Sequence, residues 1–140
     1  MSSPYLASST YVGQYESIPS SPLSTHKAAI SKAKQEHSER NVFILYIGQA
    51  DPSGHSWCPD CNDIKSLLST LPDNSYLLEC QVTREEWKNS PGSNHPLRSQ
   101  RFAAVSGVPC LVKMGFSRPV ATLIEDQIQD SILFTALIEA

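Results

Sequence analysis

The sequence lacks any apolar run long enough to span a bilayer. Its longest aliphatic and aromatic stretch is Val42 to Ile47, whereas a spanning helix needs about 20 such residues. It also lacks a basic excess: eleven Lys and Arg face fourteen Asp and Glu, a net charge of -3. With no basic stripe either, a primary nucleic-acid role is not expected. No Lys or Arg precedes Lys27, and no apolar segment follows Met1, so neither a secretory leader nor an Arg-rich transit peptide is read. A cytosolic location is the expectation. Cysteine is sparse, with four in 140 residues. In an intracellular chain, four cysteines point to thiol chemistry or metal rather than to a disulfide framework.

What is present suits an ordinary globule. Hydrophobic residues make up 40% and charged residues 18%, and the mean hydropathy is -0.25. Such a length buries roughly two thirds of the unfolded chain's surface, enough for a core without staples. Residues 1–10, mostly Ser, Ala and Pro, read as a flexible tail, and residues 11–140 as a single domain. Tyr11 to Ile18 suggests a short edge strand. Ser20, Ser21 and Pro22 open a helix over about Leu23 to Glu39 with a thin apolar stripe of Leu23, Ala29, Ile30 and Ala33. The apolar runs Val42 to Ile47 and Tyr76 to Val82 read as strands covered on both faces. Between them, Cys58 to about Leu71 has helical spacing. Thr83 followed by Arg84, Glu85 and Glu86 has the form of a cap and first turn. Pro96 to Ala103 suggests another helix. Val108 to Met114 and Pro119 to Ile124 form a hairpin, and Asp126 to Glu139 is a closing helix. The order implies an α/β fold: a central mixed β-sheet flanked by helices on both faces.

Trp57-Cys58-Pro59-Asp60-Cys61 stands where the first buried strand hands over to a helix. Helical neighbours at i and i+3 have Cβ atoms about 5–6 Å apart. A disulfide wants roughly 3.5–4.5 Å, which the half-helical geometry of a cap residue supplies. The pair can therefore open and close with little backbone movement. The two sulfurs are also unequal. Cys58 at the helix start faces orphan N–H groups and the positive end of the dipole, which stabilises its thiolate. Cys61, inside the first turn, keeps its proton longer. Cys58 is therefore read as the nucleophile and Cys61 as the resolving thiol. Pro59 suits the first helical position, where its missing N–H costs nothing. Asp60 is welcome in a first turn, yet its charge opposes a neighbouring thiolate, so the depression at Cys58 should be moderate. Val108-Pro109 opens a later strand, one of the few strand positions that admit proline.

With Ser56 and these residues, together with Cys80-Gln81-Val82, Trp87-Lys88, Gly107-Val108-Pro109 and the closing hairpin and helix, the chain resembles the thioredoxin-like superfamily. Within it, the chain is similar to the family of 14-kDa thioredoxin-related proteins (thioredoxin domain-containing protein 17), from about Tyr15 to the C-terminus. The resemblance implies a thioredoxin-like fold. It implies a cis Pro109 packed on the cysteine pair, with the backbone of its neighbour receiving an extended substrate. It implies reduction of protein and small disulfides by a monomer that binds no cofactor beyond its own Cys58–Cys61 disulfide, with electrons from an NADPH-dependent thioredoxin reductase. Two departures stand out. The strand Val42 to Ile47 lacks the buried acid that ordinary thioredoxins place below the motif, leaving water or Asp60 as proton acceptors for Cys61. Cys110 follows the proline where Thr is usual, which would put a third thiol beside the pair.

Blander readings exist for most of these residues. A structural zinc site using Cys58, Cys61, Cys80 and Cys110 matches no common zinc spacing. Cys80 reads as a small buried hydrophobe. Cys110 is either inert packing or a partner for Cys58. Trp57 is either a platform for substrate or packing on the helix start, and Trp87 anchors its own helix. His55 reads as a solvated loop residue, and Asp63, Glu85 and Glu86 as solvated helix charge. The long loop Gln49 to Ser56 would narrow access for large substrates. Two other functions fit the same fold: a non-catalytic adaptor gated by the redox state of the pair, and peroxide reduction at Cys58.

Overall fold

A computed structural model describes residues 5, 6, 11, 13–88, 95–99, 104–116 and 118–140. Strand β2, Asn41–Gly48, is buried from Val42 to Gly48, as its uninterrupted Val-Phe-Ile-Leu-Tyr-Ile run requires. Each such side chain contributes about 1.5–3 kcal/mol by leaving water. It lies between β3, Ser75–Val82, in parallel and β4, Cys110–Met114, in antiparallel. The edge strand β1, Gln14–Ser17, runs parallel to β3, and β5, Pro119–Ile124, closes the other edge as the hairpin partner of β4. The sheet order is β1-β3-β2-β4-β5. Among the described residues no helix is long and apolar enough to cross a membrane.

Strand alternation sorts the two faces. Tyr46 and Cys80 are register partners and point to helix α1, Leu23–Glu36. There the Tyr46 hydroxyl and the Cys80 sulfur lie 2.9 and 3.9 Å from the two ring nitrogens of His26. Leu45 and Glu79, the adjacent partners, point to the opposite face. The buried stripe of α1 is His26, Ile30 and Ala33, with Leu23 and Ala29 half-covered. The helix stops at Glu36, short of Glu39, where His37 stacks on Tyr76 at 3.6 Å.

The helix expected over Cys58 to Leu71 is two pieces: α2, Pro59–Asp63, and a 3-10 stretch, Lys65–Thr70. Within the second, the Ser69 and Thr70 hydroxyls donate to the carbonyls of Ser66 and Leu67, bonds that favour the tighter turn. Helix α3, Arg84–Lys88, begins as the Thr83 cap implies, with Glu86 N–H on the Thr83 hydroxyl at 3.1 Å. A 3-10 turn at Pro96–Arg98 replaces the start of the helix read over Pro96 to Ala103; residues 100–103 lie outside the described residues. The closing segment is a 3-10 turn, Glu125–Gln129, followed by helix α4, Ser131–Glu139. Asp130 caps α4 with its carboxylate on the N–H groups of Ile132 and Leu133.

Two readings need correction. Tyr5 and Leu6, placed in a flexible tail with little to bury, are buried in the core, because Glu79 offers their backbone N–H groups a carboxylate. The other residues of 1–10 lie outside the described residues. Glu86, read as solvated charge, binds Ser20, Thr83 and His95; it sits where α3 meets the segment leading into α1. Asp63 and Glu85 are exposed as expected, and buried Trp87 carries the Arg98 guanidinium 3.8 Å from its ring centroid.

Candidate active site

Cys58 is the cap residue of α2, in extended conformation, and Pro59 takes the first helical position. The Cys58 carbonyl accepts from Cys61 N–H at 3.1 Å and Asn62 N–H at 3.3 Å. The Ser56 hydroxyl donates to the Gly48 carbonyl at 2.8 Å and accepts from Cys58 N–H at 3.1 Å. That bridge ties the end of β2 to the start of α2. Gly48 is required there: a Cβ would lie 2.7 Å from the Trp57 ring and 2.8 Å from the Ser56 hydroxyl oxygen. Gly48 N–H also donates to the Cys61 sulfur at 3.4 Å.

No disulfide bond joins any two of the four cysteines. Cys58 is 6% exposed and Cys61 fully buried, and their sulfurs differ in acidity. A hydrogen bond from the Cys61 thiol is the main cause that lowers the Cys58 thiol below the ordinary range. Burial works against it, the N–H groups of Cys61 and Asp60 assist, and the Asp60 carboxylate opposes. For Cys61, burial comes first, then the bond to Cys58 and the charge there; together they push its thiol far up. Gly48 N–H and the Ser56 hydroxyl pull the other way without overcoming burial.

Val108–Pro109 is a cis peptide, and the Val108 carbonyl lies 3.5 Å from the Cys58 sulfur. Pro109 holds the far edge in place, its carbonyl accepting from Glu125 N–H at 2.7 Å. Trp57 is half-buried. Its indole N–H donates to the Val82 carbonyl at 2.9 Å, and Lys88 Nζ stands 5.8 Å from its ring centroid. Trp57, Pro59, Asp60, Val108 and Pro109 therefore gather around the pair.

Cys110 does not. It is the register partner of Tyr46 and so points to the α1 face, whereas Cys58 and Cys61 belong to α2. Its thiol is pushed up to about 12 by burial. The expectation of a third thiol beside the motif fails because consecutive strand residues face opposite sides. Cys80 is fully buried on that same α1 face. Among the described residues no group of three or more His, Cys, Asp or Glu is placed to hold a metal ion. His55 is exposed and lies 3.4 Å from the Asn62 amide.

Three further residues shape the site. Asn62 clamps the loop Gln49 to Ser56 onto α2: its oxygen accepts from Ser56 N–H, and its amide donates to the Ser56 and Cys58 carbonyls. Gln81 accepts from Ala50 N–H at 2.9 Å, fixing the same loop to β3. Within the loop, Asp51 accepts from Ser53 and His55, and Gly54 adopts a left-handed φ of 84°. Glu79, 1% exposed, is a carboxylate inside β3. Its signal was a lone acid between Leu78 and Cys80 in an apolar run, which demands internal donors.

A family model described as thioredoxin domain-containing protein 17-like, thioredoxin domain, matches residues 23–140. Thioredoxin domain-containing protein 17 of Epinephelus coioides is 34% identical over 89 residues, 60% of this chain and 68% of that protein. The Homo sapiens protein of the same name is 26% identical over 88 residues with the same coverage. Thioredoxin-like protein Clot of Arabidopsis thaliana is 31% identical over 98 residues, 64% of this chain and 71% of that protein. With a mixed sheet and the Cys-Pro-Asp-Cys segment at its strand-to-helix turn, the chain belongs to the thioredoxin domain-containing protein 17-like family, whose thioredoxin-like fold gives it a redox or thiol-related role.

Proposed function

We propose that the protein is a thiol–disulfide oxidoreductase working as a disulfide reductase. The observation that carries this reading is the unequal pair, Cys58 lowered and Cys61 raised, at the cap of α2 beside the Val108 carbonyl. The Cys58 thiolate attacks one sulfur of a substrate disulfide, forming a mixed disulfide and expelling the other sulfur as a thiolate. Cys61 then gives up its proton to water or to Asp60 and attacks the Cys58 sulfur. The second substrate thiolate leaves, and the pair ends as a Cys58–Cys61 disulfide. Two electrons pass from the dithiol to the substrate. An NADPH-dependent thioredoxin reductase restores the dithiol. Trp57 and the Val108 backbone border the site where an extended segment carrying the disulfide would lie. The clamped loop Gln49 to Ser56 narrows that approach, favouring small disulfides over large proteins. The protein acts as a cytosolic monomer.

The test is NADPH consumption with thioredoxin reductase, comparing cystine and insulin as substrates. Turnover with a cystine preference stronger than that of a general thioredoxin is expected, with no turnover after Cys58→Ser. If the pair oxidises reversibly yet neither substrate is reduced, the protein is an adaptor gated by its redox state. NADPH consumption on adding peroxide alone would favour peroxide reduction.

A further inference from the structure

Glu79 holds a piece of chain far from it in sequence. Tyr5 N–H donates to one carboxylate oxygen at 3.0 Å and Leu6 N–H to the other at 3.1 Å. The Gln81 amide also donates to this carboxylate. A carboxylate with 1% exposure needs such donors, because an unpaired buried charge is costly. They explain why these two residues, Tyr5 and Leu6, form a strap packed against β3.

The Tyr5 phenol continues inward and donates to the carbonyl of Cys61. That carbonyl belongs to a five-residue helix, and the last carbonyls of a helix have no partner within it. Tyr5 thus acts as a cap supplied from a distance. Lys65 Nζ stands 4.6 Å from the Tyr5 ring centroid and donates to the Gly54 carbonyl at 2.7 Å. Tyr5 therefore meets α2 through its hydroxyl, and Lys65 links its ring to the loop before the motif. Burial first, then charge on Cys61, Glu79 and Cys58, raises the phenol's ionisation well above its usual range, so it stays a donor at working pH.

We propose that Tyr5, pinned by Glu79, is a positioning residue of the dithiol centre that fixes the carbonyl side of Cys61 and keeps water from the inner thiol. The role rests on the reading of Cys61 as the resolving thiol. Burial is the largest cause holding the Cys61 proton. Withdrawal of the strap lets water reach the helix end, eases ionisation of Cys61 and narrows the difference between the two sulfurs.

The experiment uses the full chain with Cys58→Ser, so that Cys61 is read alone, and follows iodoacetamide labelling by mass-spectrometric site mapping against pH. Tyr5→Phe, which removes only the hydroxyl, is expected to speed Cys61 labelling about three- to tenfold, the range of one hydrogen bond, and to move its pH profile downward. Tyr5→Ala and Glu79→Gln shift both readouts in the same direction. Unchanged labelling and pH profile in Tyr5→Phe and Glu79→Gln, with only the thermal midpoint lowered, would overturn the proposal and leave Tyr5 as packing. Tyr5→Phe conserves the ring, so it decides even where Tyr5→Ala fails to fold. Failure of the unsubstituted chain to turn over cystine would count against the reductase reading while leaving this comparison intact.

Discussion

Asp60 stands beside a thiolate that its own charge disfavours, and the two halves of the residue act in opposite directions. Its N–H stabilises the Cys58 thiolate; its carboxylate raises the Cys58 ionisation. Asp60→Asn removes only the second effect. The Cys58 labelling profile should then move to lower pH, only modestly, since the half-exposed carboxylate is screened by water. An unmoved or upward-shifted profile would show that the carboxylate does not act on Cys58. The unequal positions of Cys58 and Cys61 are local consequences of a helix start and are written into Cys-Pro-Asp-Cys. Gly48, Asn62 and Tyr5 are not legible in that way. Gly48 matters through a neighbouring ring, Asn62 through a loop that folds back on it, and Tyr5 through a carbonyl 56 residues away. None of these contacts leaves a pattern in the residues near it.

At the scale of elements, α1 docks on the sheet through a titratable group. His26 is fully buried between the Pro19 carbonyl and the Tyr46 hydroxyl. Burial lowers its ionisation below the ordinary histidine range; the bond to Pro19 works against that, and His95 adds to it. A histidine lowered on folding binds fewer protons in the native state than in the unfolded one. Stability therefore rises with pH through this window and is lost as pH falls below about 6.5. The part due to His26 is at most one proton, about 1.4 kcal/mol per pH unit. Urea unfolding between pH 7 and pH 5 should show this slope, and His26→Gln should flatten it; an equal slope in both chains would assign the acid sensitivity elsewhere. β2 and β3 were legible because burial on both faces leaves continuous apolar runs. The split of the helix after Cys58 was not, since its spacing of apolar residues fits one helix. The interruption goes with tertiary bonds at Cys61 and with hydroxyls that favour a tighter turn.

Across the whole molecule, the C-terminal end of β3 acts as a hub. Glu79 takes the strap, Gln81 takes the loop at Ala50, and the Val82 carbonyl takes Trp57 at the loop's end, so two segments distant from β3 in sequence are set against the dithiol by one strand. The other half of the sheet is braced by Lys113 of β4, 8% exposed, whose ammonium donates to the carbonyls of Ile138 and Ala140 at the end of α4. Lys113→Met leaves those carbonyls without that donor. It should lower stability by about 1–3 kcal/mol in urea unfolding, with Cys58 labelling unchanged; an unaltered unfolding midpoint would mean the contact is neutral. Everything ascribed to the site depends on the asymmetry of its two thiols. Iodoacetamide labelling of the reduced, unsubstituted chain as a function of pH, with each product assigned by mass spectrometry, measures it directly. The account predicts that Cys58 is modified at neutral pH with a midpoint below that of a free thiol while Cys61 stays unmodified; equal rates at the two positions, or faster modification of Cys61, would contradict it.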